Sequence, residues 1–330
     1  MAMSFVNSLI RHVYAVLHYG DYLKSIRFLQ DRYHWSHKRY PFTWLDDKYF
    51  LEYYFYKKMG YRIDFKHPAT FNEKLNWMKL YYRDPIYGQL SDKWSVREYI
   101  SQRIGSEHLK PLIGVYDAVE EINWQDLPEK FVIKTTHGSG WNIICDDIDQ
   151  FSQADAIEKV NNWMALNFYQ QLREWQYKHI TPRIIIEPYL EGERDLGLVE
   201  YQFYCFDGIV RFIQVDVDCN KNHSRLFFSP MWQKMPFEIV RFPTFTGSLE
   251  KPQQLDEALD LAEKLTKGFP FCRVDLHIID GHIYISEMTL MPAGGYMKFD
   301  PPEYDLHIGS MLTLKPKIKF PIIGRDDDHS

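Results

Sequence analysis

Apolar residues recur along the chain with two periods. Phe5, Val6, Leu9, Ile10, Val13, Val16 and Leu17 fall at helical spacing, with Arg11 and His12 off the stripe. They predict an amphipathic helix that packs on the body, pairs with another subunit or lies on a membrane surface. Residues 21–90 read as short helices and aromatic loops. Ser91 or Asp92 is placed to cap a helix carrying Lys93, Val96, Arg97 and Ile100. "FVIKTT" (131–136) and "NIIC" (142–145) read as paired strands around a loop holding Gly138, Ser139 and Gly140. Ser152 with Asp155 resembles a capping box, and the helix it opens is expected to run through Phe168.

"RIIIEPYL" (183–190) is an apolar strand ending in an acidic loop, "EGERD". "EYQFYCFDG", "IVRFIQVDV" and "RLFFS" predict an antiparallel sheet with Asp207-Gly208 as a turn. A helix through Leu255, Ala258, Leu259, Ala262 and Leu265 precedes the hairpin "CRVDLHIIDGHIYISEMT". The tail "GRDDDHS" is acidic and reads as disordered. The order is a helical, aromatic-rich lobe (1–90), a small α+β lobe (91–190) and a larger antiparallel α+β lobe (191–330). No internal repeat is visible. The absence of a βαβ run and of GxGxxG argues against a dinucleotide fold, and without GxxxxGK[ST] the loop at 137–140 is not a Walker loop.

Composition narrows the class. With 45% hydrophobic and 25% charged residues the chain reads as an ordinary globular protein, and 16% aromatics point to cores or binding faces rich in Tyr and Trp. Cys145, Cys205, Cys219 and Cys272 form no CxxC pair, and no secretory signal is legible, so a reducing cytoplasmic setting is expected. No apolar run reaches the length of a membrane span; peripheral contact with the inner membrane face stays open. The net charge of −6 is uneven, because residues 1–90 hold 14 Lys+Arg against 8 Asp+Glu and 13 of the 23 tyrosines. That lobe suits an anionic or sugar-bearing partner, or is a helical cap with solvated charges. Nucleic acid is disfavoured, since there is no concentrated basic stripe and no recognition motif.

Four pieces then stand in a telling order: Lys93 at a helix start, Lys134 before the glycine-rich hairpin, Glu187 at a strand end, and Arg273, Asp275 and Glu287 on neighbouring strands. Over about residues 91–295 this resembles the ATP-grasp family. "FNEKLNWMKLYYRDP", "SDKWSVREYI", "KPLIGVYD", "FVIKTTHGSGWNI" and "PEYDLHIGSMLTL" bring it closer to the TupA-like (teichuronopeptide-biosynthesis type) branch, over about residues 70–314. The resemblance implies two α+β lobes clamping ATP.

Lys93 and Lys134 would neutralise the phosphates, and the backbone N–H groups of His137, Gly138, Ser139, Gly140 and Trp141 would close over them. A plain hairpin turn is the other reading of this loop. Glu187, Tyr189 and Leu190 would line the adenine pocket. Glu193 or Asp195 would hold the ribose, or the acidic loop is merely solvated. Asp275 and Glu287 are the implied magnesium ligands, with Thr289 where the superfamily commonly has Asn. Arg273, with Lys134, would stabilise the phosphoryl group in flight.

The metal reading carries a register test. A two-residue Asp280-Gly281 turn would pair Asp275 with Ser286 and turn Glu287 to the other face. It therefore predicts a three-residue loop at 279–281 with Gly281 as the bulge residue.

Chemistry implied by the superfamily is carboxylate activation: ATP's γ-phosphoryl passes to a carboxylate, and an amine displaces phosphate from the acyl-phosphate. The branch implies surface-polysaccharide synthesis, joining an amino acid or other amine to a uronic acid or other carboxylated sugar. Lys74, Lys79, Arg83 and Arg97 are candidates for the sugar carboxylate, with Asp216 and Arg225 facing the acceptor. The alternatives are a glycosyltransferase using Asp216-Val217-Asp218, an ATP-dependent sugar kinase, or a non-catalytic scaffold.

Overall fold

The computed structural model describes residues 46–192, 196–219 and 222–315. The N-terminal apolar stripe, the acidic tail, Glu193 and Asp195 lie outside the described residues. The chain divides into two units at Arg62/Ile63. In the first, α1 (Asp47–Met59) starts at Asp46, whose carboxylate accepts the Lys48 N–H, and ends at Gly60 with φ 83°.

The second unit opens with α2 (Phe71–Tyr81), which starts on a reciprocal Thr70/Glu73 capping box. Next come α3 (Ile86–Ser91) and α4 (Val96–Ile104). The helix expected to open at Ser91 or Asp92 begins only at Val96. The Asp92 carboxylate accepts the Trp94 N–H at 3.2 Å and the Ser95 hydroxyl at 2.5 Å, which stabilises a turn in place of helix. Lys93 therefore stands in a turn between two helices.

The first sheet is built from β1 (Gly114–Tyr116), β2 (Phe131–Thr135), β3 (Asn142–Cys145) and β4 (Ile184–Pro188), in the antiparallel order β1-β4-β2-β3. Between β3 and β4 come α5 (Gln153–Met164) and the short α6 (Tyr169–Leu172). Ser152 caps α5 as expected. The helix stops before Phe168, because the Asn167 side chain accepts the Tyr169 N–H and opens a separate turn. Alternation divides the sheet. Phe131, Ile133, Ile184 and Ile186 form a core with Ala156 and Val160, which leaves Val132, Lys134 and Glu187 on the other face.

The second sheet has β5 (Glu200–Phe206), β6 (Ile209–Val217), β7 (Ser224–Phe228), β9 (Phe271–Ile279) and β10 (His282–Thr289), ordered β10-β9-β5-β6-β7 and wholly antiparallel. Between β7 and β9 lie β8 (Glu238–Ile239) and α7 (Leu255–Thr266); after β10 come β11 (Phe299–Asp300), which pairs with β8, and α8 (Glu303–Met311). Asp207 and Gly208, at φ 49° and 77°, make the expected turn. One face of this sheet carries Phe203, Ile213, Val215, Val274 and Leu276, all buried, and α7 lies across β5, β6 and β9. On the other face the paired positions are polar: Asp275 opposite Gln202, Gln202 opposite Gln214, Asp216 opposite Arg225.

The register of β9 and β10 corrects the expected three-residue loop. Ile279 pairs with His282, so Asp280-Gly281 is a two-residue turn, with φ 50° and 77°. Even register is restored further along, where a bulge between Ile285 and Glu287 leaves Ser286 out of the pairing. Glu287 then faces Asp275, and Thr289 faces Arg273.

Beyond Thr289 the chain is clamped by one face of α2. Asn72 exchanges hydrogen bonds with both backbone groups of Met297, at 2.8 and 2.7 Å. Asn76 donates to the Gly295 carbonyl at 2.8 Å, and Lys79 to the Gly294 carbonyl at 2.6 Å. Positions 72, 76 and 79 repeat at helical spacing, so a buried polar stripe runs beside the apolar stripe of Phe71, Leu75 and Met78. Phe71 anchors the same helix, 5.0 Å from the Phe271 ring. Asn72→Ala orphans the buried Met297 N–H and carbonyl. It is expected to lower stability by roughly 1–3 kcal/mol for each orphaned group, read by urea unfolding.

Candidate functional site

The polar faces of the two sheets meet across a cleft of about 420 Å3. Lys93, Lys110 and Lys134 line it against Glu187, Glu200 and Glu287, and Val132, Ile144, Leu190 and Leu198 supply its apolar wall. Lys134 and Glu187, diagonal neighbours on β2 and β4, form an ion pair at 2.6 Å. Burial alone would raise the Glu187 carboxyl, but Lys134 and Lys110 outweigh it and hold it below its ordinary value. Lys93 donates its ammonium to the Gly138 carbonyl and its backbone N–H to Thr136 at 3.2 Å, which ties the loop after β2 to the α3–α4 turn.

That loop contributes Gly140 and Trp141 to the lining. A Cβ at residue 138 would stand 2.4 Å from the Trp141 ring, and Gly140 sits at φ 71°, so each glycine has its own steric reason. His137 lies behind the lining. Its Nε2 is 3.1 Å from the Trp163 carbonyl, which makes Nε2 the protonated nitrogen, and burial pushes its pKa down. Tyr189 joins Leu190 in the wall after β4.

On the second sheet the bulge gathers four predicted residues. Arg273 grips Asp275 with two hydrogen bonds, Nε to Oδ1 at 2.7 Å and Nη2 to Oδ2 at 2.6 Å. Thr289 Oγ1 lies 3.2 Å from Arg273 Nη2, 3.3 Å from Glu287 Oε1 and 3.4 Å from Asp275 Oδ2. Burial pushes the Asp275 carboxyl up, against the pull of Arg273. Burial would do the same to Glu287, but Lys93 and Arg273 together hold it below its ordinary value. Two carboxylates and a hydroxyl on adjacent strands are hard oxygen donors, and that set fits magnesium. Among the described residues no three His, Cys, Asp or Glu groups converge, so the remaining ligands of such an ion would be phosphate or water oxygens.

The predicted acceptor residues scatter. Lys74 spends its ammonium on the C-terminal carbonyls of α8, Gly309 at 2.8 Å and Leu312 at 2.7 Å. Lys79 is buried in the α2 clamp, with its ammonium also 3.0 Å from the Leu172 carbonyl. Neither lines the cleft, because each ammonium satisfies backbone acceptors at the end of an element. Arg97 is half-buried, and its charge acts on Glu187 from outside the lining. Arg83 lies 5.5 Å over the Trp175 ring, in a separate groove with His179 and Arg183.

Asp216 does not face an open acceptor site. Arg225 holds both its oxygens, at 2.5 and 2.7 Å, and His223 Nε2 stands 3.1 Å away. Asp218, at φ 52°, accepts the Asn222 N–H. The Asp-Val-Asp segment is thus a locked strand end with its first carboxylate already neutralised.

Lys110, Glu200, His277 and Ser286 line the cleft without having been singled out from the sequence. Alternation was a usable signal for two of them, since His277 continues the Arg273, Asp275 face and Glu200 continues Gln202. Burial and Lys110 keep His277 neutral, and its Nδ1–H donates to the Val199 carbonyl at 2.9 Å. Lys110 and Ser286 carry no periodic mark, because one precedes a short strand and the other is a bulge.

Two facing α+β sheets, with a glycine loop and lysines on one and an Arg-Asp-Glu cluster on the other, define an ATP-grasp protein. The chain belongs to the TupA-like ATP-grasp family, whose profile, described as TupA-like ATPgrasp, matches residues 73–313. Among curated proteins there is no match. Among solved structures, the chain is similar to a D-alanine–D-alanine ligase from Bacillus anthracis, with 19% identity, TM-score 0.38, and 62% of this chain and 57% of that one covered. An L-amino acid ligase from Bacillus licheniformis has 15% identity and TM-score 0.38, covering 66% and 43%. A phosphoribosylamine–glycine ligase from Thermotoga maritima has 16% identity and TM-score 0.34, covering 62% and 48%. The chain thus spans little more than half the length of the first of these structures.

Asp216 offers a stability test with a defined sign. Burial would raise its pKa, but the hydrogen bonds from Arg225 and His223 hold it down to about 2. A depressed folded pKa contributes stability that is complete above the ordinary aspartate range and is lost as pH falls through about 2. Asp216→Asn leaves Arg225 buried without its anion. The variant is expected to lose about 3–5 kcal/mol at pH 7 in urea unfolding, with the gap from wild type narrowing as pH falls from about 4 to about 2.

Proposed function

We propose that the protein is an ATP-dependent carboxylate–amine ligase that joins an amino acid or other amine to a carboxylated sugar in surface-polysaccharide synthesis. The observation that carries this reading is the cluster of Arg273, Asp275 and Thr289 gathered behind Glu287, which lines one cleft with Lys93 and Lys134. That set has cations for a triphosphate, carboxylates for its counter-ion, and a guanidinium for the group in transit. No serine or cysteine nucleophile is needed.

In this reading Lys134 and Lys93 meet phosphate oxygens, the first by exchanging part of its Glu187 pairing, the second by exchanging the Gly138 carbonyl. The substrate carboxylate attacks the γ-phosphorus, the bond to the ADP oxygen breaks, and a mixed anhydride forms. The amine then attacks the acyl carbon, releases a proton, and phosphate leaves. Arg273 is fixed by Asp275 before substrate arrives, so its charge needs little reorganisation as negative charge develops. Asp275, Glu287 and Thr289 would hold magnesium, which when bound neutralises phosphate charge. Val132, Ile144, Tyr189 and Leu190 suit the adenine ring, with Glu187 at its edge. The sugar half of the proposal rests on the TupA-like family and the basic, tyrosine-rich residues 1–90. No helix among the described residues is long and apolar enough to cross a membrane, and the use of ATP suits action at the cytoplasmic side.

Mg–ATP at 100 times its Kd is expected to stabilise the wild type by about 2.7 kcal/mol in thermal unfolding, and Lys134→Ala to lose most of that gain. Stabilisation by a nucleotide sugar, with no response to ATP, would sink the ligase reading. In a phosphate-release assay with amino acids and uronic acids, Arg273→Lys is expected to lower kcat by about a hundredfold or more.

A further inference from the structure

Three lysines line the cleft, and the fold treats their charges differently. Lys134 has Glu187 at 2.6 Å. Lys93 has the carbonyl of the loop it would release. Lys110 is only 7% exposed, and its ammonium donates to the neutral Ser286 hydroxyl at 3.0 Å. No ion pair engages it among the described residues. Burial, with Lys134 nearby, pushes its pKa down to about 8, against the pull of Glu187, Glu200 and Glu287 in the same cleft.

A buried ammonium that touches no carboxylate is costly, and a methionine of similar length would fill the same space without that cost. Such a cation facing a cleft marks a position made for an anion that arrives from outside. Its placement is also over-determined. Leu109 bridges Ile285 in parallel, which fixes the backbone beside the bulge. Ser286 is the bulge residue itself, adjacent to Glu287. The extra residue that sets Glu287 beside Asp275 therefore also turns a hydroxyl toward Lys110.

We propose that Lys110 is a third nucleotide-binding residue, whose ammonium takes a phosphate oxygen of the bound nucleotide alongside Lys93 and Lys134, with Ser286 as the group that positions it. The inference rests on the nucleotide reading above and adds to it a residue and its ligand atom.

The test is calorimetric titration of Mg–ATP, Mg–ADP and adenosine into wild type, Lys110→Met and Ser286→Ala, with thermal unfolding of each ligand-free protein. Lys110→Met is expected to weaken ATP and ADP by about tenfold or more and adenosine by less than about twofold. Its ligand-free melting temperature is expected to match or exceed that of wild type. Ser286→Ala should weaken ATP in the same sense but less. Equal losses for ATP and adenosine would assign Lys110 to the base and overturn the phosphate contact. Unchanged ATP affinity in Lys110→Met, with wild type binding normally, would overturn the proposal alone, as would a marked fall in the melting temperature of the ligand-free variant. If wild type binds none of the three, the nucleotide reading falls, and this inference with it.

Discussion

Side chains on a strand alternate, so two carboxylates on adjacent strands meet only if their register is even. In the β9–β10 hairpin the turn alone gives odd register. A tight Asp280-Gly281 turn would put Ser286 opposite Asp275 and send Glu287 to the face toward α7. One extra residue, Ser286, inserted without a partner, reverses this for the rest of the strand. Glu287 then stands opposite Asp275 and Thr289 opposite Arg273, so the guanidinium bonds Asp275 and the Thr289 hydroxyl, which in turn bonds Glu287. The cluster is thus a consequence of a single unpaired position. Ser286 is held in turn by Lys110, from the segment that bridges β10 at Leu109 and Ile285, so the bulge and the third ammonium support one another.

A sheet with one polar face inside a protein needs that face to satisfy itself. Here it does so laterally. Gln202 donates to Glu200 at 2.6 Å, Gln214 donates to both Gln202 and Asp216, and Tyr204 donates to Gln214 at 3.1 Å. Asp216 ends the row on Arg225. The steps join either same-face neighbours on one strand or paired and diagonal positions on adjacent strands, so the network follows from alternation and register. Because the row is nearly complete, the groups left over stand out. They are the carboxylates and ammoniums at the cleft end, where burial shifts pKa values most. The α2 clamp serves the same end, holding the chain just after Thr289 with three side chains bonded to main-chain groups.

How much of this could be read from the sequence depends on the range of the interaction responsible. The strands "FVIKT" and "NIIC", the Asp207-Gly208 turn and the α7 stripe follow from local pattern and are present. So is the ATP-grasp class, which the ordered motifs carried. The errors came where one side chain overrides the pattern. Asp92 bonds its own following residues and delays the start of a helix to Val96; Asn167 opens a turn after α5. The hairpin expectation had the right outcome for Glu287 and the wrong device, because a bulge five residues from the turn leaves no periodic trace. Lys74, Lys79 and Asp216 looked like substrate groups because their partners are distant main-chain carbonyls and a guanidinium on the paired neighbouring strand. Charge near a motif says little about which lysine is already spent on the fold.

The ligand-free cleft is balanced in a way that bears on how it opens. Lys93, which must reach a phosphate in the proposed reaction, is occupied by the Gly138 carbonyl, a neutral acceptor that an anion can displace. Lys134 is occupied by Glu187, a charged acceptor in a buried position, and separating that pair fully would cost the carboxylate its hydrogen-bonded cation. Binding is therefore expected to move the loop more than the strands. The peptide after Gly138 can turn its carbonyl away only if residue 138 has no side chain, because a Cβ there already meets the Trp141 ring. Trp141 is itself packed edge-on to Phe168 and parallel to Trp163, so the ring does not yield easily. The loop thus has a rigid aromatic end and a free glycine end, and the free end is the one that touches Lys93.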